Sequence, residues 1–276
     1  MRKSRKLMFA AGVAALGMAG SVFAQYTPRS TEGGTLSQNL SVYSDDFYWA
    51  GYIANAAVTN LGGLAVLKGG KFSEVADHSE WLVSVTDGDS DGLETITVSD
   101  NGGSGWLEIK TNNKAADDVE IQKNGEAFAV TSTRDLWFET KIAIDDVDQD
   151  NVVVGLTVAD TDVLGSLGND FMLFHFNQNT NVFKWAKNGT IETNTAVTTW
   201  TDSGATVGGN AKTLSFFVDG SESDIFVYVD NVLIASNKGS TNVPNDEALS
   251  PVYGIRTIDT GADSLWIDYL EIRQTR

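Results

Sequence analysis

The 276-residue chain has no cysteine, only three prolines and two histidines. Without cysteine no disulfide can staple the fold, even in an oxidising compartment, and no thiol is available as nucleophile or zinc ligand. The two histidines, His78 and His175, lie far apart, and no G-x-S-x-G string accompanies them. Triad and zinc chemistry therefore find no support. Basic residues are also scarce: 19 Lys and Arg stand against 37 Asp and Glu, a net charge of −18. Such a surface repels phosphate backbones and anionic membranes, so nucleic-acid binding is excluded as a function class. A membrane-length apolar run is missing too. The longest apolar stretch, residues 7–20, is too short for an ordinary helix to cross a ~30 Å hydrocarbon core.

That short run has a meaning of its own. Arg2, Lys3, Arg5 and Lys6 precede it, and Val22 and Ala24 sit three and one residues before Gln25. This is the layout of a secretory signal cut after Ala24, which predicts an exported, periplasmic or extracellular protein without membrane insertion of the mature chain. The bland alternative is a hydrophobic arm kept for assembly. Residues 25–44 are polar and without period, and read as a flexible linker or arm. The remainder, residues 45–276, reads as one domain.

What is plentiful is Gly, Thr, Val, Asp and Asn, the residues of sheets and turns. From Trp81 onward, segments such as WLEIKT (106–111), DVEIQK (118–123) and FMLFHFN (171–177) follow one another, several with period-2 alternation. Asn188-Gly189 predicts a type I′ hairpin. Between about thirteen such strands no amphipathic helix appears, so the sheets must be antiparallel and the fold a jelly-roll β-sandwich. The final segment, residues 264–273, is expected to pair within a sheet. Leu265, Ile267, Tyr269 and Glu271 would share one face, with Trp266, Asp268, Leu270 and Ile272 on the other.

The segment LWFETKIAIDDVDQDNVVVGLTVADTDV (136–163) resembles one found in structural proteins of tailed-phage virions, through Trp137-Phe138-Glu139, Val154-Gly155-Leu156 and Ala159 to Asp162. KNGT (187–190), FVDG (217–220), YVDNVLIAS (228–236) and LWIDYLEIRQTR (265–276) are similar to later parts of that family. The resemblance implies a concanavalin A-like or laminin G-like jelly roll and a non-enzymatic accessory role on a virion surface, with capsid or other virion proteins as partners. The family lacks export signals, so the second reading is an exported bacterial carbohydrate-binding module that recognises surface glycans.

Candidate chemistry is sparse. Asp87, Asp89 and Asp91, in the string DGDSDG, can converge carboxylate oxygens on one Ca²⁺, although position 12 of an EF-hand count is Val98 rather than Glu. The bland reading is a solvated acidic turn. Asp145 to Asp150, and Asp160 with Asp162, form further acidic turns that also suit charged sheet edges. Retaining glycosidases on this fold place acids along one strand as E-x-D-x-x-E, and no such string is present. The expectation is therefore a chain without catalytic activity. Trp81, Trp106, Trp137 and Trp266 lie in apolar strands and read as core. Trp185, between Lys184 and Lys187 on a hairpin, is the expected glycan platform, with the two lysines as a basic spot in an acidic chain.

Overall fold

The computed structural model describes residues 40–45, 65–67, 81–86, 94–99, 106–112, 115–145, 150–159, 162–177, 180–197, 211–259 and 261–275. Ser41–Arg276 is one compact unit. Among the described residues there are sixteen strands in two antiparallel sheets.

The first sheet, sheet A, runs in the order β14 (Val232–Asn237), β13 (Asp224–Val229), β12 (Lys212–Asp219), β7 (Leu136–Ile144), β16 (Ser264–Thr275), β5 (Trp106–Lys110) and β4 (Thr95–Ser99). A further strand, β1 (Leu40–Asp45), also pairs β16. It falls within the end of the segment expected to be a linker. Sheet B runs β11 (Thr190–Ala196), β10 (Thr180–Lys187), β9 (Phe171–Asn177), β8 (Asp150–Thr157), β15 (Ser250–Thr257), β6 (Asp118–Lys123), β3 (Trp81–Thr86) and β2 (Ala65–Leu67). The expected antiparallel jelly-roll sandwich is the observed one.

The core follows from the alternation. Leu136, Phe138, Ile142 and Ile144 of β7 face Val152, Val154 and Leu156 of β8 and Met172, Phe174 and Phe176 of β9 within one buried cluster. Phe216 is its hub: Phe138 stacks on it at 4.9 Å and Phe183 lies at 5.2 Å. Gly155 is required where β8 meets β9. A Cβ there would stand 2.3 Å from the carbonyl oxygen of Met172, which only glycine avoids. The Asn188-Gly189 turn forms as expected, both residues having positive φ and Lys187 pairing Thr190 across it.

The final strand pairs within a sheet as expected, but its faces differ from the expected ones. It sits inside sheet A, between β7 and β5. Its register shifts between Ile267 and Tyr269, so Asp268 and Tyr269 together oppose Lys141. This bulge resets the alternation. Leu265, Ile267, Leu270 and Ile272 belong to the core, whereas Trp266 lies in a separate cluster on the opposite face and Tyr269 hydrogen-bonds Glu139 there. Tyr269 and Glu271 thus point away from Leu265 and Ile267, contrary to strict period 2.

Candidate functional site

The outer face of sheet A gathers most of the chemistry. On β7 the residues between core positions are Trp137, Glu139 and Lys141. Register fixes what lies beside each. Glu139 pairs Ser215 of β12 and Glu271 of β16, and Ser215 in turn pairs Tyr228 of β13. Trp137 pairs Phe217 and Arg273, and Phe217 pairs Phe226. Two parallel rows result. One is aromatic, Phe226, Phe217 and Trp137, ending on Arg273. The other is polar, running from Tyr228 through Ser215 and Glu139 to Glu271. Each crosses four strands, about 14 Å at ~4.8 Å per strand. Phe217 stacks on Phe226 at 6.0 Å, and Trp137 lies 6.2 Å from Phe217 and 5.6 Å from Tyr228.

Glu139 is the centre of this grid and is only 8% exposed. The Tyr269 hydroxyl donates to its Oε1 at 2.8 Å. Burial pushes the Glu139 carboxyl up from the usual range and Glu271 adds to this; Tyr269, Arg273 and Trp137 oppose it. Burial and the Glu139 charge raise Tyr269 as well, so its phenol stays a donor. Glu271 is ion-paired to Arg273, and Lys141 to Asp268 at 2.7 Å. The Lys141 ammonium also lies 4.8 Å from the Trp106 ring centre. Trp137, Lys141, Asp268, Tyr269, Glu271, Arg273 and Phe226 are half-buried and reach solvent. Planar polar groups beside aromatic faces are what sugar hydroxyls and sugar ring faces require.

The outer face of sheet B is different. Residues 162–170 fold over it, and Val163, Leu164 and Leu167 pack on Val153, Phe171, Leu173, Ala186 and Val252. Glu120 ties this loop down: the amides of Val163 and Leu164 donate to its carboxylate at 2.9 and 2.6 Å. Beside it, Arg256 binds the buried Asp118 at 2.6 Å and Asp162 at 3.3 Å.

The sequence-derived platform is not assembled. Trp185 is 5% exposed, packs in the core against Phe183, and donates its indole N–H to Ser240 Oγ at 2.8 Å. Strand alternation turns Lys184 to the opposite face, and Lys187 meets Asn245 and Asp246 beyond the strand end. Trp106 and Trp266, expected in the core, are buried in a small cluster on the outer face of sheet A instead, with Trp137 on the same face. Asp87, Asp89 and Asp91 lie outside the described residues. Among the described residues no group of three or more His, Asp or Glu is placed to hold a metal ion. His175 is satisfied within its sheet, through Asn151 and Lys184.

Sequence reasoning missed Glu139 and Glu271. The outward alternation Trp137-x-Glu139-x-Lys141 was a signal for the first. Nothing local announces that Glu271 is its cross-strand neighbour.

No family model matches the chain, and no curated protein matches it. Solved structures do. An endo-1,3-β-glucanase from Streptomyces sioyaensis is 13% identical, with 88% of this chain and 99% of that one covered and a TM-score of 0.50. LamAcat from Zobellia galactanivorans is 13% identical over 85% and 97% of the two chains, with a TM-score of 0.51. A structure from a study of endo-acting O-glycanases of human gut bacteria is 10% identical over 83% and 97%, with a TM-score of 0.52. These matches correct two expectations. A virion-surface role with capsid partners has no counterpart among them. The expectation of a chain without catalytic activity is corrected as well, because structures that share this fold include ones named for enzymes of glycan breakdown. At this identity the likeness speaks for architecture: the chain is an antiparallel jelly-roll β-sandwich of the concanavalin A-like kind.

Proposed function

We propose that this protein recognises a carbohydrate on the outer face of sheet A. The observation that carries the reading is the aromatic row Phe226, Phe217 and Trp137, lying directly beside the polar row that includes Glu139 and Glu271. Sugar rings would stack on the exposed edges of Trp137 and Phe226, while Tyr269, Glu271 and Arg273 take hydroxyls. The glycan-acting neighbours of the fold support this choice of ligand class, and the export signal read in residues 1–24 supports a role where polysaccharides are met. Calorimetric titration with laminarin, mixed-linkage β-glucan and mucin O-glycans is the test. At least one should bind, and Trp137→Ala should weaken it about tenfold through the lost stacking surface. No binding to any of the three, or binding untouched by Trp137→Ala, would refute the assignment.

A second reading is favoured by one observation, the Glu139–Glu271 pair. Directly opposed residues on one sheet face have Cβ atoms about 4.5–5.5 Å apart. Retaining glycoside hydrolysis uses carboxyls about 5–5.5 Å apart, one protonated as acid and one ionised as nucleophile. Burial favours the protonated form of Glu139, and Glu271 is ion-paired to Arg273. Release of reducing ends from the same polysaccharides, abolished in Glu139→Gln and in Glu271→Gln, is the expected sign. Absence of turnover in the wild type would leave recognition alone.

A further inference from the structure

The outer face of sheet B carries a cation, Lys184, with no acid around it among the described residues. Lys184 on β10 pairs Leu173 of β9 and Thr193 of β11. Among the described residues, the positions that flank it on that face are Leu173, His175, Val182, Ala186 and Ile191, and none is acidic. In a chain of net charge −18 this is a local reversal of sign. By contrast, Lys141, Lys187, Lys212, Arg256 and Arg273 each have a carboxylate within 4 Å.

The ammonium is nevertheless held in place. Lys184 Nζ lies 2.8 Å from His175 Nδ1, and His175 Nε2 lies 2.7 Å from Asn151 Oδ1. A lysine ammonium only donates, so Nδ1 accepts and Nε2 carries the proton it gives to Asn151. His175 is 9% exposed and its pKa is lowered to about 4, first by burial and then by the Lys184 charge. It stays neutral at ordinary pH and orients the ammonium without cancelling or doubling its charge. One N–H of Lys184 is used on the imidazole, and the other two have no acceptor among the described residues. Burial lowers the lysine's own pKa, so its charge is incompletely solvated and gains from a counter-ion. Asn151 and Asn177, cross-strand partners beyond His175, add carboxamide groups at the same edge of the face.

We infer that Lys184, oriented by His175 and Asn151, is a binding group for the anionic substituent of an acidic glycan, a uronate carboxylate or a sulfate ester. This site lies on the other sheet from the aromatic row and stands or falls separately from it. The probes are sodium sulfate and sodium galacturonate, with sodium chloride at equal ionic strength and glucose as controls. The readout is the imidazole nitrogen NMR signals of the full chain, where only two histidines occur and His78→Gln assigns them. A saturable shift of the His175 signals is expected with the anionic probes. Lys184→Arg should keep it and Lys184→Met should weaken binding about tenfold or more, the loss of a charged hydrogen bond. A response to sulfate alone assigns sulfate esters, and one to galacturonate alone assigns uronic acids. Shifts no greater than with chloride, or shifts unchanged in Lys184→Met, would overturn the inference. Either result leaves the Trp137 experiment untouched.

Discussion

Glu120 should make the fold weaken as pH rises through the neutral range. Its side chain is 3% exposed beneath the loop of residues 162–170. Two effects oppose each other there. Burial disfavours the charged carboxylate, while the amides of Leu164 and Val163 favour it; Asp118 and Asp162 side with burial. Burial wins, and the pKa is raised from 4.5 to about 7. The folded chain therefore keeps a proton that the unfolded chain has released. The resulting stability is fully present below pH 4.5 and is lost as pH rises to about 7 and beyond. At 1.36 kcal/mol per pKa unit the loss amounts to about 3 kcal/mol. Urea unfolding followed by tryptophan fluorescence, from pH 4.5 to 8, measures it. Other titrating groups cancel when wild type is compared with Glu120→Gln at each pH. Relative to the variant, the wild type should lose about 3 kcal/mol across this window. A difference that is flat, or that moves in favour of the wild type with rising pH, would mean that the two amide hydrogen bonds outweigh burial.

Phe216→Ala removes the ring on which Phe138 stacks and against which Phe183 packs, and should lower unfolding free energy by about 3–5 kcal/mol in the same urea assay. Gly155→Ala drives a methyl group into the Met172 carbonyl and should destabilise by about 2–3 kcal/mol or more, seen as a lower melting temperature; an unchanged melt would contradict the close approach of β8 and β9. If Asp87, Asp89 and Asp91 bind calcium, CaCl₂ at ~100 times the dissociation constant should stabilise the wild type by about 2.7 kcal/mol over an EGTA control. That gain should vanish in Asp89→Ala, and a wild type indifferent to calcium would leave a solvated turn.

Strands whose side chains alternate around a buried face were legible before any coordinates. DVEIQK and FMLFHFN occupy β6 and β9 with the same limits in sequence and structure. TIETNTA carries no hydrophobic signature of a strand, because its one large apolar residue, Ile191, faces solvent at the sheet edge of β11. Tryptophan placement was legible only in part. Lys184 and Lys187 beside Trp185 suggest a surface position, yet in a strand the immediate neighbours of a core residue are the ones that point outward. The polar centre of sheet A was hidden for another reason. Glu139 and Glu271 become neighbours only through strand pairing, and the bulge at Asp268 inverts the faces that simple alternation assigns to Tyr269 and Glu271.

The place of β16 has a consequence in time. This strand separates β5 from β7, so neither can complete its ladder until β16 is available between them. The Lys141–Asp268 contact that helps fix its register closes a loop of 127 residues. Until β16 is in place, β5 and β7 each keep an open edge. Contacts so remote in sequence form slowly. Such open strand edges are prone to pairing with other chains. Insertion of β16 between β5 and β7 is thus the event that joins the two halves of sheet A.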